Sequence, residues 1–132
     1  MGLNDSPVGA VVAVSDMDRA KEFYEGKLGL SGGKDQPDGG CTYTCGAGTT
    51  VHVYPSPGNV GQSGATLAGW WVPNVEATVD ELTANGVTFE QYGDPMNTDD
   101  KGIARFEGDS MGAWFKDPDG NILAIGSQDF AG

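Results

Sequence analysis

Val14-Ser15-Asp16-Met17-Asp18-Arg19-Ala20 recurs 58 positions later as Val72-Pro73-Asn74-Val75-Glu76-Ala77-Thr78, and each copy joins an apolar run to an amphipathic segment that stops at a glycine, Gly29 or Gly86. One unit used twice restricts the chain to a paired-module fold, because each copy must bury the same apolar face. In the first copy Val8 to Val14 reads as a strand and Ser15-Asp16 as a helix N-cap, followed by Met17, Ala20, Phe23, Tyr24 and Leu28 at helical spacing. That predicts a helix from Met17 to Leu28, ended by Gly29 in a left-handed C-terminal position. In the second copy Thr66 to Val72 is the strand, Asn74 the cap, Val75, Val79 and Leu82 the buried stripe, and Gly86 the stop.

The remaining segments read as strands and turns. A short strand is expected near Leu30, then Cys41 to Gly46 and Thr50 to Tyr54 paired through the Gly46-Ala47-Gly48 turn. Pro55 to Gly64 is rich in proline and glycine and connects the modules. Val87 to Tyr92 is expected as a strand, Gly93 to Gly102 as a polar loop that is either solvated or a lid, and Ile103 to Glu107 and Ala113 to Lys116 as strands joined through Asp109-Ser110-Met111-Gly112. Asp117-Pro118-Asp119-Gly120 has the residues of a type I turn, so Asn121 starts the last strand, to Gly126. The expectation is one α+β domain, 1–132, with module 1 at about 8–54, a linker at about 55–64 and module 2 at about 65–128. Its helices cover the outer faces and its open sheet faces meet across a cleft.

Nineteen acidic against seven basic residues give a net charge of -12, a field that repels phosphate backbones and anionic lipid. Nucleic acid and membrane are therefore not expected as partners. The same field attracts a cationic guest or simply keeps the surface soluble. Met1 to Pro7 does not read as an export leader and no run approaches the roughly 18 apolar residues of a membrane span, so a cytoplasmic protein is expected. Cys41 and Cys45 lie four apart in a strand-like run, roughly 13 Å at strand rise, too far for a disulfide. Two lone thiols fit a reducing compartment.

Val14 to Ala20, Phe23-Tyr24, Leu28-Gly29 and the closing Asp117-Pro118-Asp119-Gly120-Asn121 together resemble the glyoxalase / bleomycin resistance / extradiol dioxygenase superfamily, the vicinal oxygen chelate proteins. The resemblance runs through nearly the whole chain. It implies two βαβββ modules forming a U-shaped, mostly antiparallel sheet around a central cleft, frequently in a homodimer, with metal ligands on the first and last strands of each module. The matching positions here are Gly9, His52, Leu67 and Ala124. Only His52 can ligate, and one imidazole cannot supply the three or four donors a divalent ion needs, so no metal and no cofactor are expected. Asp94, Asp99, Asp100 and Asp109 sit in loops and are read as surface.

Strand alternation then predicts what lines the cleft: Gly9, Val11 and Ala13; Thr50, His52 and Tyr54; Leu67, Gly69 and Trp71; Ile122, Ala124 and Gly126. Val12, Val14, Val51, Val53, Trp70, Val72, Leu123 and Ile125 should face the helices. Small residues beside a few large aromatics leave room for a bulky planar guest, with Trp71 the leading stacking residue and Tyr54 and Trp114 behind it; Trp114 reads equally as core or dimer contact. His52 is a satisfied strand histidine, a polar anchor or a general base, and no carboxylate partner for it is identifiable. Arg105 and Glu107 face either the cleft or solvent.

The expected function is that of a metal-independent binding protein, similar to the bleomycin resistance branch, that sequesters a neutral or cationic aromatic compound, as an antibiotic resistance protein does. The rival is a glyoxalase-like lyase, isomerase or dioxygenase using His52 or a metal completed at a dimer interface. A third possibility is a subunit whose pocket is vestigial.

Overall fold

Both copies of the repeat fold around the cap that their sequence supplies. In the computed structural model, which describes residues 2–131, the Arg19 amide donates to Asp16 Oδ1 at 3.2 Å and the Ala77 amide to Asn74 Oδ1 at 2.9 Å. These caps open helices α1 (Met17–Lys21) and α2 (Val75–Ala84). After Lys21 the first helix widens into a π-type turn, Glu22–Lys27, closed by the Leu28 amide on the Phe23 carbonyl at 3.0 Å. The turn buries the consecutive side chains Phe23 and Tyr24. Gly29 and Gly86 follow at φ +78° and +97°, the left-handed backbone that ends a helix at least cost in glycine.

Strands β1 (Gly9–Val14), β2 (Lys34–Asp35), β3 (Cys41–Thr44) and β4 (Thr50–Pro55) form one sheet in the order β1-β4-β3-β2. Strands β5 (Thr66–Val72), β6 (Ile103–Arg105), β7 (Met111–Lys116) and β8 (Ile122–Ser127) form the second in the order β5-β8-β7-β6. In each, the first strand is parallel to the last and the other pairs are antiparallel. This is the α+β arrangement of two βαβββ modules, with β1 and β5 in contact between the sheets.

Several element boundaries differ from those read in the sequence. No strand forms near Leu30; the edge of the first sheet is Lys34–Asp35, and Leu30 packs partly against the core instead. Val87 to Tyr92 is not a strand but makes a single bridge, Phe89 to Phe115, because β7 is six residues long and β6 already pairs with Met111 to Ala113. Strand β7 begins at Met111, so Met111 and Gly112 belong to the ladder rather than to the preceding turn. Strand β3 stops at Thr44 and β6 at Arg105, each short of its expected end.

The core lies between the helices and the sheets. Val12, Val14, Val51, Val53, Leu123 and Ile125 are all buried on the helix side, together with Phe115 and Tyr43. Trp70 and Val72, expected in the same layer, are only half-buried where β5 meets the end of the first helix. A crevice lined by Leu28, Leu30, Trp70, Val72 and Leu82 remains there.

One joint between the modules is closed by hydrogen bonds. The turn Asp117–Asn121 of module 2 reaches the end of β1: Asn121 Nδ2 donates to the Ala13 carbonyl at 2.8 Å, the Ser15 amide donates to Asp119 Oδ2 at 3.0 Å, and Arg19 pairs with Asp119 at 2.8 Å. Beneath it Tyr24 donates to Asp117 Oδ2 at 2.8 Å, where Asn121 Nδ2 also donates at 2.8 Å. Asp117 and Asn121 are 4% and 3% exposed, so these bonds satisfy groups that would otherwise be costly to bury. Burial, and then the Asp117 charge, push the Tyr24 hydroxyl above the usual phenol range, so it stays a donor.

Candidate functional site

At the other joint between the modules the turn is Gly46–Gly48, which brings no side-chain donor, and a groove of about 700 Å³ opens in place of a clamp. Gly9, Thr50, Leu67, Gly69 and Trp71 line it, with Ala47 and Cys45 from the turn side and Gln128 from the C-terminal end. Four of the proposed binding residues, Gly9, Leu67, Gly69 and Trp71, thus come together. The small residues are what open the space: a Cβ on Gly9 would come within 2.4 Å of the Thr50 hydroxyl, while Gly69 lies against Ala124.

Trp71 is positioned by its register. It sits opposite Gly126 in the β5–β8 ladder, and a Cβ at Gly126 would lie 3.0 Å from the Trp71 ring, so the indole lies down on bare backbone. Gly126 is accordingly buried beneath the ring rather than exposed to a guest, a correction to its expected place in the lining. The indole remains 50% exposed. Two residues not picked out from the sequence complete the surface: Phe130, near-parallel to Trp71 at 6.0 Å, and Phe106, edge-on to Phe130 at 5.7 Å. Phe106 continues the alternation beyond β6, a signal that was available; Phe130 arrives on the turn Gln128–Ala131, which has no period to read. Trp114 and Ala124 are opposite each other on the same open face, and Trp114 meets Tyr92 edge-on at 5.7 Å.

His52 and Tyr54 stand apart from this groove, on the open face of the first sheet. Their rings stack at 6.0 Å and 5° beside a shallow depression lined by Gln36, Pro37, Asp38, Thr42 and His52. Val11 lies opposite His52, 59% exposed, and lines neither hollow. His52 does have a carboxylate partner: Nε2 lies 2.7 Å from Asp38 Oδ2, and Nδ1 lies 2.9 Å from Thr42 Oγ1. A carboxylate only accepts, so Nε2 carries the proton and the neutral ring accepts the Thr42 hydroxyl at Nδ1. The His52 bond, and then the Gly40 amide, hold the Asp38 carboxyl below its usual range. Both ring nitrogens are engaged, so His52 offers a guest a held polar edge and not a free lone pair. Asp38 comes from the turn-rich segment before β3, and only folding brings it to His52, fourteen residues away.

The donor set does not fit a divalent ion. Among the described residues no three His, Cys, Asp or Glu side chains converge as one requires, and Gly9, Leu67 and Ala124 carry no ligating atom. Asp99 is occupied by the Lys101 and Ile103 amides and by Arg105. Arg105 also pairs with Glu76 of α2, which sets it on the helix side, away from the open face. No residue of the Gly93 to Gly102 loop lines the groove. Among the described residues no helix is long and apolar enough to cross a membrane.

Residues 8–125 match the family model described as the Glyoxalase/Bleomycin resistance protein/Dioxygenase superfamily. Among solved structures, a member of that superfamily from Sphaerobacter thermophilus is similar at TM-score 0.71 and 23% identity, covering 95% of this chain and 98% of its own. The glyoxalase / bleomycin resistance protein of Catenulispora acidiphila is similar at 0.66 and 21%, covering 92% and 96%. A lactoylglutathione lyase from Agrobacterium tumefaciens is similar at 0.67 and 17%, covering 97% of each chain. At these identities the likeness is one of fold. No curated protein matches the chain in sequence.

Proposed function

This chain belongs to the glyoxalase/bleomycin resistance protein/dioxygenase superfamily, and from that premise we propose that it binds and sequesters a bulky planar compound, neutral or cationic, without transforming it. The observation that carries this is the Trp71 indole, half-exposed and laid flat over Gly126 at the edge of a groove of about 700 Å³, within the size range of small-molecule sites. Each stacked aromatic pair contributes about 1 kcal/mol beyond its apolar area, which itself contributes roughly 25 cal/mol per Å² removed from water. Nineteen acidic residues against seven basic ones favour cations over anions in the groove. Fused-ring antibiotics with a basic nitrogen have this chemistry, and resistance by sequestration is the role we assign.

Titration with fused-ring cationic compounds, followed by tryptophan fluorescence, tests the proposal. Saturable quenching that is lost in Trp71→Ala is expected. No quenching by any planar compound overturns it.

The enzymatic alternative has one observation in its favour, the Asp38 carboxylate on His52. A paired imidazole of this kind can hold a proton near a substrate. Turnover of glyoxalase-type substrates that disappears in both His52→Ala and Asp38→Asn, with or without added divalent metal, would favour it over sequestration.

A further inference from the structure

Phe130 lies beside Trp71 where a guest would stack. Its ring is near-parallel to the indole, 6.0 Å away at 23°, and a Cβ on Gly126 would lie 3.0 Å from Trp71 and 3.4 Å from Phe130, so both rings close over the same bare backbone. The turn that carries Phe130 is fastened by Asp129, whose carboxylate accepts the Ser110 and Ser127 hydroxyls. Those hydroxyls hold the Asp129 carboxyl below its usual range, so the fastening is in place at neutral pH. Phe130 nonetheless stays 47% exposed, held by one aromatic neighbour on each side and no buried core.

We infer that Phe130 is an internal competitor for the stacking face of Trp71, and that it makes the groove selective for fused-ring guests over single-ring ones. The inference rests on the binding function proposed above and names the guest class. A phenyl ring tethered to its own chain acts at an effective concentration of about millimolar or more. A single-ring guest that displaces it exchanges one phenyl stack for another and gains little. A guest of two or three fused rings covers more of the indole than Phe130 does and gains the difference in area.

The test compares benzylamine, a single-ring cation, with proflavine, a fused three-ring cation, by titration of wild type and Phe130→Ala, read at the Trp71 indole signal in two-dimensional NMR. Phe130→Ala should tighten benzylamine by about 2- to 10-fold and proflavine by less, narrowing the selectivity between them. Phe130→Leu, which keeps apolar bulk but not the flat ring, should behave as the alanine variant does. If Phe130→Ala weakens both guests or leaves both unchanged, Phe130 is a wall of the site or a bystander and the inference fails, whatever the wild type binds. If only the variant binds, the competitor role stands and wild-type sequestration fails. If neither form binds either guest, both fall.

Discussion

The two joints between the modules are the same joint by topology, a hairpin turn of one module set against the first strand of the other, yet one is shut and one is open. At the shut joint, Asp117, Asp119 and Asn121 supply side chains that bond to Ala13, Ser15, Arg19 and Tyr24. At the open joint, Gly46, Ala47 and Gly48 supply none, and the groove beside Trp71 is the result. Duplication therefore gives this fold two equivalent places to fasten. The candidate site sits where only one of them was used.

The largest effect should come from breaking the shut joint. Asp117→Ala leaves Tyr24, the Asn121 side chain and the Asp119 and Asn121 amides without their acceptor, and should cost about 3 kcal/mol or more, seen as a lowered urea midpoint. The alkaline limb of stability tests the same network by another route. Because the Tyr24 hydroxyl is raised in the folded state, its contribution is complete below the ordinary phenol pKa of about 10 and is lost as pH rises beyond it. Tyr24→Phe should flatten that limb and cost about 1–2 kcal/mol at neutral pH, measured by unfolding across pH.

At the open joint the expected effects fall on binding. Trp71→Ala should weaken a fused-ring guest about 10-fold while moving the urea midpoint little, since the indole is half-exposed. The smallest effect belongs to Ala47, whose φ of +57° is the left-handed region that favours glycine. Ala47→Gly should stabilise by about 0.5 kcal/mol in thermal unfolding without changing affinity. A large affinity change there would mean that the turn itself moves when a guest enters.

The fold was legible because its signals are local. The repeated strand-to-helix junctions carry their own caps, Asp16 and Asn74; β5 runs from Thr66 to Val72 as its apolar alternation predicts; and Asp117 to Gly120 closes the turn its proline and glycine demand. Where competition for partners decides, the sequence alone misled. Val87 to Tyr92 has strand-like residues, but most of its lane along β7 is taken by β6. The strand expected near Leu30 runs into Gly33, where a Cβ would lie 2.5 Å from the Cys41 sulfur, and pairing starts only at Lys34.

The site was legible in part for the same reason. Alternation found Trp71, Leu67, Gly69 and Gly9, because they lie in phase on two strands. It placed His52 and Tyr54 on the open face but could not separate them from the groove, since phase fixes a face and not a position along it. Asp38 and Phe130 reach their partners from a loop and a terminal turn, where no period exists to be read.

Trp70 and Trp71 are neighbours in sequence and point to opposite sides of β5, one toward the helices and one toward the groove. The chain thereby carries a built-in pair of optical probes. Trp70 fluorescence should follow the integrity of the helix layer, while Trp71 fluorescence follows occupancy. With Trp114 replaced by phenylalanine, the shape of a single emission band would distinguish a compound that binds the protein from one that unfolds it.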